Sequence, residues 1–583
     1  MYKILLFILL GFLKCLDSRP NRFWKPNRSL FLTFLLSYFL TFSLSAQDKL
    51  MTILKDELNR QMTEFRQSAD SLDAPYFISF RVDEIKSETV RATLGSLTYS
   101  RASHNRIFTP MVRVGSYEID NYHQLRETAT TNRTEPAYLP IEDSEDAIRQ
   151  CIWWMTDQAQ KNAVDRFEKV KSNMAVKVQE EDRSDDYTPQ KAVKYYEPPL
   201  SASHTRFNRK DWEEKLKQYS ATFKQSHDII DGWASINVQT VRKYYVSSED
   251  TEIVQNTVYI QLAIGATVKA DDGMELPLQK TWFSITINNL PSDKEVTREA
   301  ARITAKLKEM KDSPVVEAFS GPALLSPEAA GVFFHEIFGH RIEGQRMRQE
   351  TDGQTFKKKV GEPVLPDFLN VYMDPTIDKY KGRDISGYYK YDEEGVRGQK
   401  VTLVENGILK DFLMSRVPIE GFPSSNGHGR AAVGLNPVAR QSNLIVECTR
   451  GKSENELRQI LREELVRQSK EYGYYFASVI GGFTQTGRYS PNVFNVTPNE
   501  VYRVYADGRP DELVRGVDLV GTPLAMFSQI GAAGSNIGYF MGLCGAESGS
   551  VQVSCIAPML FVRQIEIQKN VKSQSLPPLL PKP

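Results

Sequence analysis

The sequence predicts an α+β fold, with N-terminal α/β modules followed by a largely antiparallel β domain built on one buried helix. Three observations carry this. Helical and period-two apolar patterns alternate through residues 47–314. Short alternating or apolar runs separated by Gly, Pro and Asn turns dominate after residue 400. Between them, residues 327–343 are apolar almost all round, the mark of a helix that is buried rather than laid on a surface. With 583 residues the chain has length for roughly two to four domains.

Residues 1–46 read as a signal peptide or leader. An apolar run at 4–13 is too short to span a bilayer; basic Arg19, Arg22, Lys25 and Arg28 then precede a second apolar run at 30–44, which ends in Ser43-Leu44-Ser45-Ala46. That order of basic, apolar and small residues predicts export, to the periplasm, with an uncleaved anchor as the alternative. Residues 47–125 form a small α+β module. Leu50, Ile53, Leu54, Leu58, Met62 and Phe65 follow helical spacing, and Tyr76, Ile78, Phe80 and Val82, then Val90, Ala92 and Leu94, then Val112 and Val114, follow that of half-buried strands.

Residues 126–205 read as a helical, charged insertion. Its helix is expected over 143–170, with Ile148, Cys151, Ile152 and Met155 on one face, and Pro198-Pro199 marks a linker. Trp153 and Trp154 are expected to pack inside, because Trp is mostly buried; a partner or substrate surface is the alternative. A central α+β module follows at 206–314, with strands over 238–246, 253–268 and 279–287, a hairpin turn at Asp271-Asp272-Gly273, and a helix over 295–310. In the last domain, 315–568, strands are expected at 401–404, 408–412, 444–446, 474–479 and 501–505, with a helix at 454–469. A Pro-rich tail, 569–583, closes the chain.

The buried helix carries the chemistry. Ser326 is a good N-cap, Pro327 suits the first helical position, Glu328 falls in the positive first turn, and Gly344 is expected to close the helix in a left-handed cap. On it lies His335-Glu336-Ile337-Phe338-Gly339-His340, which uses two of the chain's seven histidines. Histidines five apart stand about 140° apart on a regular α-helix, too divergent to share one ion. The helix must therefore widen or break between them, and Gly339 is the residue best able to allow it. Buried histidines bonded to backbone are the alternative. A third ligand belongs elsewhere: Cys544 lies in a glycine-rich run that reads as a loop, Cys555 reads as a strand residue, and Glu343 offers either an oxygen ligand or support for an imidazole.

These residues resemble the TldD/PmbA metallopeptidases, in the TldD-like branch that bears the metal motif. The resemblance runs from His335 through Gly344, then Asp392-Glu393-Glu394-Gly395, Glu405-Asn406-Gly407-Ile408-Leu409, Asn426-Gly427-His428-Gly429-Arg430 and Cys544-Gly545. It implies a zinc-dependent peptidase acting on unfolded peptides or proteins, with Zn2+ held by His335, His340 and Cys544. Glu336 would be the general base that deprotonates zinc-bound water. The last domain would then be a catalytic domain carrying a metal-binding helix, in a homodimer or a heterodimer with a related family member. His428 and Arg430 are open to two roles, steadying a turn or stabilising an oxyanion.

Lys and Arg total 73 against 73 Asp and Glu, without a basic cluster, so no nucleic-acid partner is expected. Four cysteines follow residue 46, Cys151, Cys448, Cys544 and Cys555, too few and too scattered for a disulfide framework. Two other functional classes fit the same residues. One is an exported interaction subunit that pairs with a related chain around a structural metal; the other is a zinc hydrolase of non-peptide amides.

Overall fold

The structure, a computed structural model, describes residues 48–68, 73–125, 136–174, 182–201, 206–488, 494–521 and 523–569. The expected leader and the Pro-rich tail from Ser573 onward lie outside them. Among the described residues no helix is long and apolar enough to cross a membrane.

After α1 (Lys49–Ser68) come two 19-residue strands, β1 (Pro75–Thr93) and β2 (Ser96–Val114), joined at Leu94-Gly95, both in the left-handed region at φ 46° and 80°. The sequence expectation split these strands into three. The described part of residues 126–205, expected as an insertion, supplies α2 (Glu145–Met174) and the short strand β3 (Lys194–Tyr196). Then follow α3 (Arg209–Ala221), β4 (Ile229–Ser247), β5 (Glu252–Lys269), β6 (Glu275–Ser284) and α4 (Asp293–Asp312).

The stretches 47–125 and 206–314, expected as separate modules, contribute to one seven-stranded sheet. β1 pairs antiparallel with β4 from Ser79↔Ser247 to Thr93↔Trp233, and the order runs β2-β1-β4-β5. Residues between these two stretches add to it at both sides: Ala137–Tyr138 pairs with β2, and β3 pairs with β5. One face is covered by α3 and α4, whose Trp212, Leu216, Ala300, Ile303 and Leu307 pack on Ile236, Ile260, Leu262 and Ile264 of the sheet. Ser292 and Glu295 start α4 with a reciprocal capping box.

The second sheet has eleven strands. Its elements are β7 (Phe319–Leu325), α5 (Pro327–Ile337), α6 (Gln345–Arg348), β8 (Leu369–Met373), β9 (Val401–Glu405), β10 (Asn443–Cys448), α7 (Glu454–Arg467), β11 (Tyr472–Thr484), β12 (Phe494–Tyr505), β13 (Val517–Gly521), β14 (Ile530–Ala546) and β15 (Gly549–Lys569). β15 pairs with β13, β13 with β12, β12 with β11, β11 with β7, and β7 again with β15, so five strands close into a ring. All these pairings are antiparallel except β11–β7. The core lies between this sheet and α5, whose Phe333, Phe334 and Ile337 pack with Phe476, Phe494 and Val496.

Two further expectations are corrected. Trp153 and Trp154 lie on the outer face of α2, 43% and 54% exposed, while Ile148, Ile152 and Phe167 take the buried face. Adjacent residues on a helix cannot both join Ile152 on one narrow inward stripe. Cys544 lies not in a loop but in β14, paired with Val551 of β15. The glycines of that run do not interrupt the strand: Gly542 and Gly545 lie within β14, and Gly549, at φ 81°, opens β15 after the turn. All four described cysteines are free.

Candidate metal centre

Helix α5 begins as its sequence directs, with Ser326 Oγ accepting the Ala329 N–H and Pro327 in the first turn. It ends at Ile337, six residues short of the expected end, and Gly339–Arg341 continues as a single 3-10 turn. The chain therefore breaks between the two histidines. Its orphaned carbonyls are matched: Arg341 donates to the Glu336 and Ile337 oxygens at 2.7 and 3.1 Å, and Gln441 Nε2 donates to the His335 oxygen at 3.2 Å. Gly339 permits the close approach of Gln441, since a Cβ there would lie 1.9 Å from Gln441 Oε1. Gly344 does not form the expected left-handed cap. Its φ is −56°, and what reserves the place for glycine is Met414 Sδ, 2.5 Å from where a Cβ would be.

The break turns His340 toward His335, with ring centroids 5.0 Å apart and planes at 77°. Cys544 reaches them from β14, its Sγ 3.4 Å from His340 Nε2. One donor atom from each of His335, His340 and Cys544 lies within 4.8 Å of the others. Ligand atoms round a tetrahedral zinc stand about 3.3–3.8 Å apart, so small side-chain rotations bring the three into register. His335 Nδ1 is buried without a hydrogen-bond partner, an orphan beside two other donors. Two imidazoles and a thiolate suit zinc chemically. The residues thus fit the ion.

Electrostatics agree with that fit. Burial opposes charge on both imidazoles, yet the Cys544 sulfur beside them raises both, His340 to about 9. Burial likewise opposes the thiolate, and the two imidazoles overcome it, holding Cys544 well below the usual thiol range. Glu343 lies 3.3 Å from His340 Nδ1; burial would raise its carboxyl, but His340 and Arg346 hold it down at about 2. Glu343 is fully buried and also bonded to Arg346 Nε at 2.8 Å, so its place is beside the imidazole rather than among the three donors.

These groups lie in a cleft of about 440 Å³, walled by Gly482 to Gly487 on one side and Leu543 to Glu547 on the other. Glu336 lines the cleft, 6% exposed; burial raises its carboxyl and the imidazoles of His335 and His340 restrain it. Gly482 leaves room for it, because a Cβ there would meet Glu336 Cγ at 2.8 Å. Exposed Phe483 and Leu543 flank the mouth, and Arg346 is held by Glu343, Thr486 and Glu547.

His428 and Arg430 stand apart from the cleft lining. Fully buried His428 is pushed down to about 3 by burial and by Arg430, and it contacts Asn426 and Ser442. Arg430 donates to the Gln441 and Gln552 carbonyls, so both residues brace the turns behind the site. Asp392 does similarly, accepting the N–H groups of Glu394, Val396 and Gly429. Sequence reasoning gave no role to Arg346, Arg440 or Glu547. Only Glu547 had a signal, its position three residues beyond Cys544.

A family model described as the PmbA/TldA metallopeptidase C-terminal domain matches residues 320–569. A metalloprotease of Methanocaldococcus jannaschii is 28% identical over 351 residues, 59% of this chain and 71% of that one. A zinc metalloprotease TldD homolog of Saccharolobus solfataricus is 26% identical over 365 residues, 61% of this chain and 76% of that one. The crystal structure of TldE from Thermococcus kodakarensis has the same fold, with a TM-score of 0.59 over 88% of this chain and 100% of that one, at 13% identity.

Proposed function

The chain is a member of the TldD/PmbA family, and from that premise we propose that it is a zinc-dependent peptidase cleaving peptide bonds in unfolded segments. The observation that carries this reading is the grouping of His335, His340 and Cys544 beside Glu336 on the floor of one cleft. All four are buried, so a substrate must enter as an extended chain rather than as a folded surface. Export, and pairing with a second copy or a related family member, complete the proposal.

When bound to His335, His340 and Cys544, zinc supplies Lewis acidity that polarises a scissile carbonyl and makes water a nucleophile near neutral pH. The remaining work falls to the chain. Glu336 accepts the proton from the attacking water and passes it to the leaving amide nitrogen as the C–O bond forms and the C–N bond breaks. Glu343 orients the His340 ring by accepting from Nδ1, which leaves Nε2 facing Cys544. Glu336, 6% exposed on the floor of the cleft, keeps its carboxylate largely out of bulk water.

An unstructured peptide tests this. Cleavage is expected to stop when a chelator strips the metal and to return with zinc but not with magnesium, which avoids thiolate and imidazole. Undiminished cleavage by metal-free protein would contradict the proposal.

A further inference from the structure

Arg440 is wholly buried, a costly place for a cation unless its donors are matched. Its acceptors converge on the residue expected as third ligand. Nη2 donates to Cys544 Sγ at 3.2 Å and to the Cys544 carbonyl at 2.6 Å, while Nη1 donates to Ser548 Oγ and the Gly549 carbonyl, both at 2.8 Å. Nε stands 3.5 Å from Glu343 Oε1, and Glu343 is the carboxylate beside His340 Nδ1.

We propose that Arg440 is a positioning residue for the metal centre: its guanidinium fixes Cys544 Sγ toward the histidine pair and, through Glu343, ties the third ligand to the second. The inference rests on the zinc site of the proposed function. A cysteine two residues from the end of a strand has a free χ1 and a tip that can shift with the hairpin. One planar fork that grips its sulfur, its own carbonyl and the turn at 548–549 removes both freedoms before a metal arrives. The charge is tolerable because Glu343 offsets it, so the incoming dication meets no net repulsion from the pair. Lysine offers a point charge that cannot span four acceptors.

Two variants test this by zinc affinity and by the absorption of the cobalt(II)-substituted protein. Arg440→Lys is expected to weaken zinc about 10–100-fold, the usual effect of losing an outer partner of a ligand. The sulfur-to-cobalt charge-transfer band should move to lower energy, because a sulfur that loses a donor gives up its electrons more readily. Ser548→Ala, which removes one of the two acceptors of Nη1 and leaves the charge, is expected to move both readouts in the same direction by less, and decides alone if Arg440→Lys does not fold. In a Cys544→Ser background, Arg440→Lys should add little to the loss of zinc. Folded variants with native zinc affinity and an unmoved band, beside a wild type that binds zinc, would overturn the role of Arg440. A wild type that binds no zinc would instead overturn the metal site itself.

Discussion

Replacing Glu336 by Gln is expected to leave folding and zinc content at wild-type levels while slowing peptide cleavage by about 10²–10⁴-fold, the usual share of a general base. The amide has nearly the same size and lies in the same space beside Gly482, so packing is preserved. It cannot take a proton, and it is not among the three grouped donors, so the ion is not disturbed. Single-turnover rates on an unstructured peptide, measured on samples of equal zinc content, check both halves. Wild-type turnover in Glu336→Gln would assign the proton transfer elsewhere.

Gly339→Ala should have the opposite signature, losing metal as well as activity. A Cβ at this position would lie 1.9 Å from Gln441 Oε1 and 2.3 Å from Gln441 Cδ, and Gln441 is itself fully buried and bonded to the His335 carbonyl. Either Gln441 is expelled from that bond or the turn carrying His340 moves. Overpacking of this kind costs about 1–3 kcal/mol, and a displaced His340 should weaken zinc at least tenfold. Gly481→Ala is the control, since its added methyl meets nothing within 4 Å. Thermal melting and zinc competition should separate the two; equal behaviour would mean that the break does not depend on Gly339.

The break itself was legible in the sequence, because two imidazoles five residues apart cannot face one ion on a regular helix. Its form was not. The expected helix ran to residue 343, and only the structure shows Arg341 and Gln441 taking the carbonyls of residues 335–337, which lets α5 stop at Ile337. Helix α4 was legible from its single apolar face, and strands β4–β6 in part from their β-branched and aromatic residues, although residues 229–237 of β4 were not anticipated. Strand β14 was hidden by Gly531, Gly534, Gly538, Gly542 and Gly545, which lower strand propensity and here serve in part to admit α5.

Long-range features left the least trace. The join of β1 to β4, from Ser79↔Ser247 to Thr93↔Trp233, pairs residues far apart along the chain, and nothing local to either strand names its partner. Arg341, Arg416 and Arg440, each at most 2% exposed, were not singled out in the sequence, because each has an acceptor far along the chain, the Gln485, Thr188 and Cys544 carbonyls respectively. The exposed Trp153 and Trp154 misled in the other direction, since burial was inferred from residue type without the phase of the helix.

The most direct test is the zinc content of the purified protein, measured beside Cys544→Ser after both have been stripped and refilled. About one tightly held zinc per chain in the wild type, mostly lost from the variant, is the expected result. A wild type that takes up no zinc, or a Cys544→Ser protein that holds it equally well, would contradict the site made by His335, His340 and Cys544.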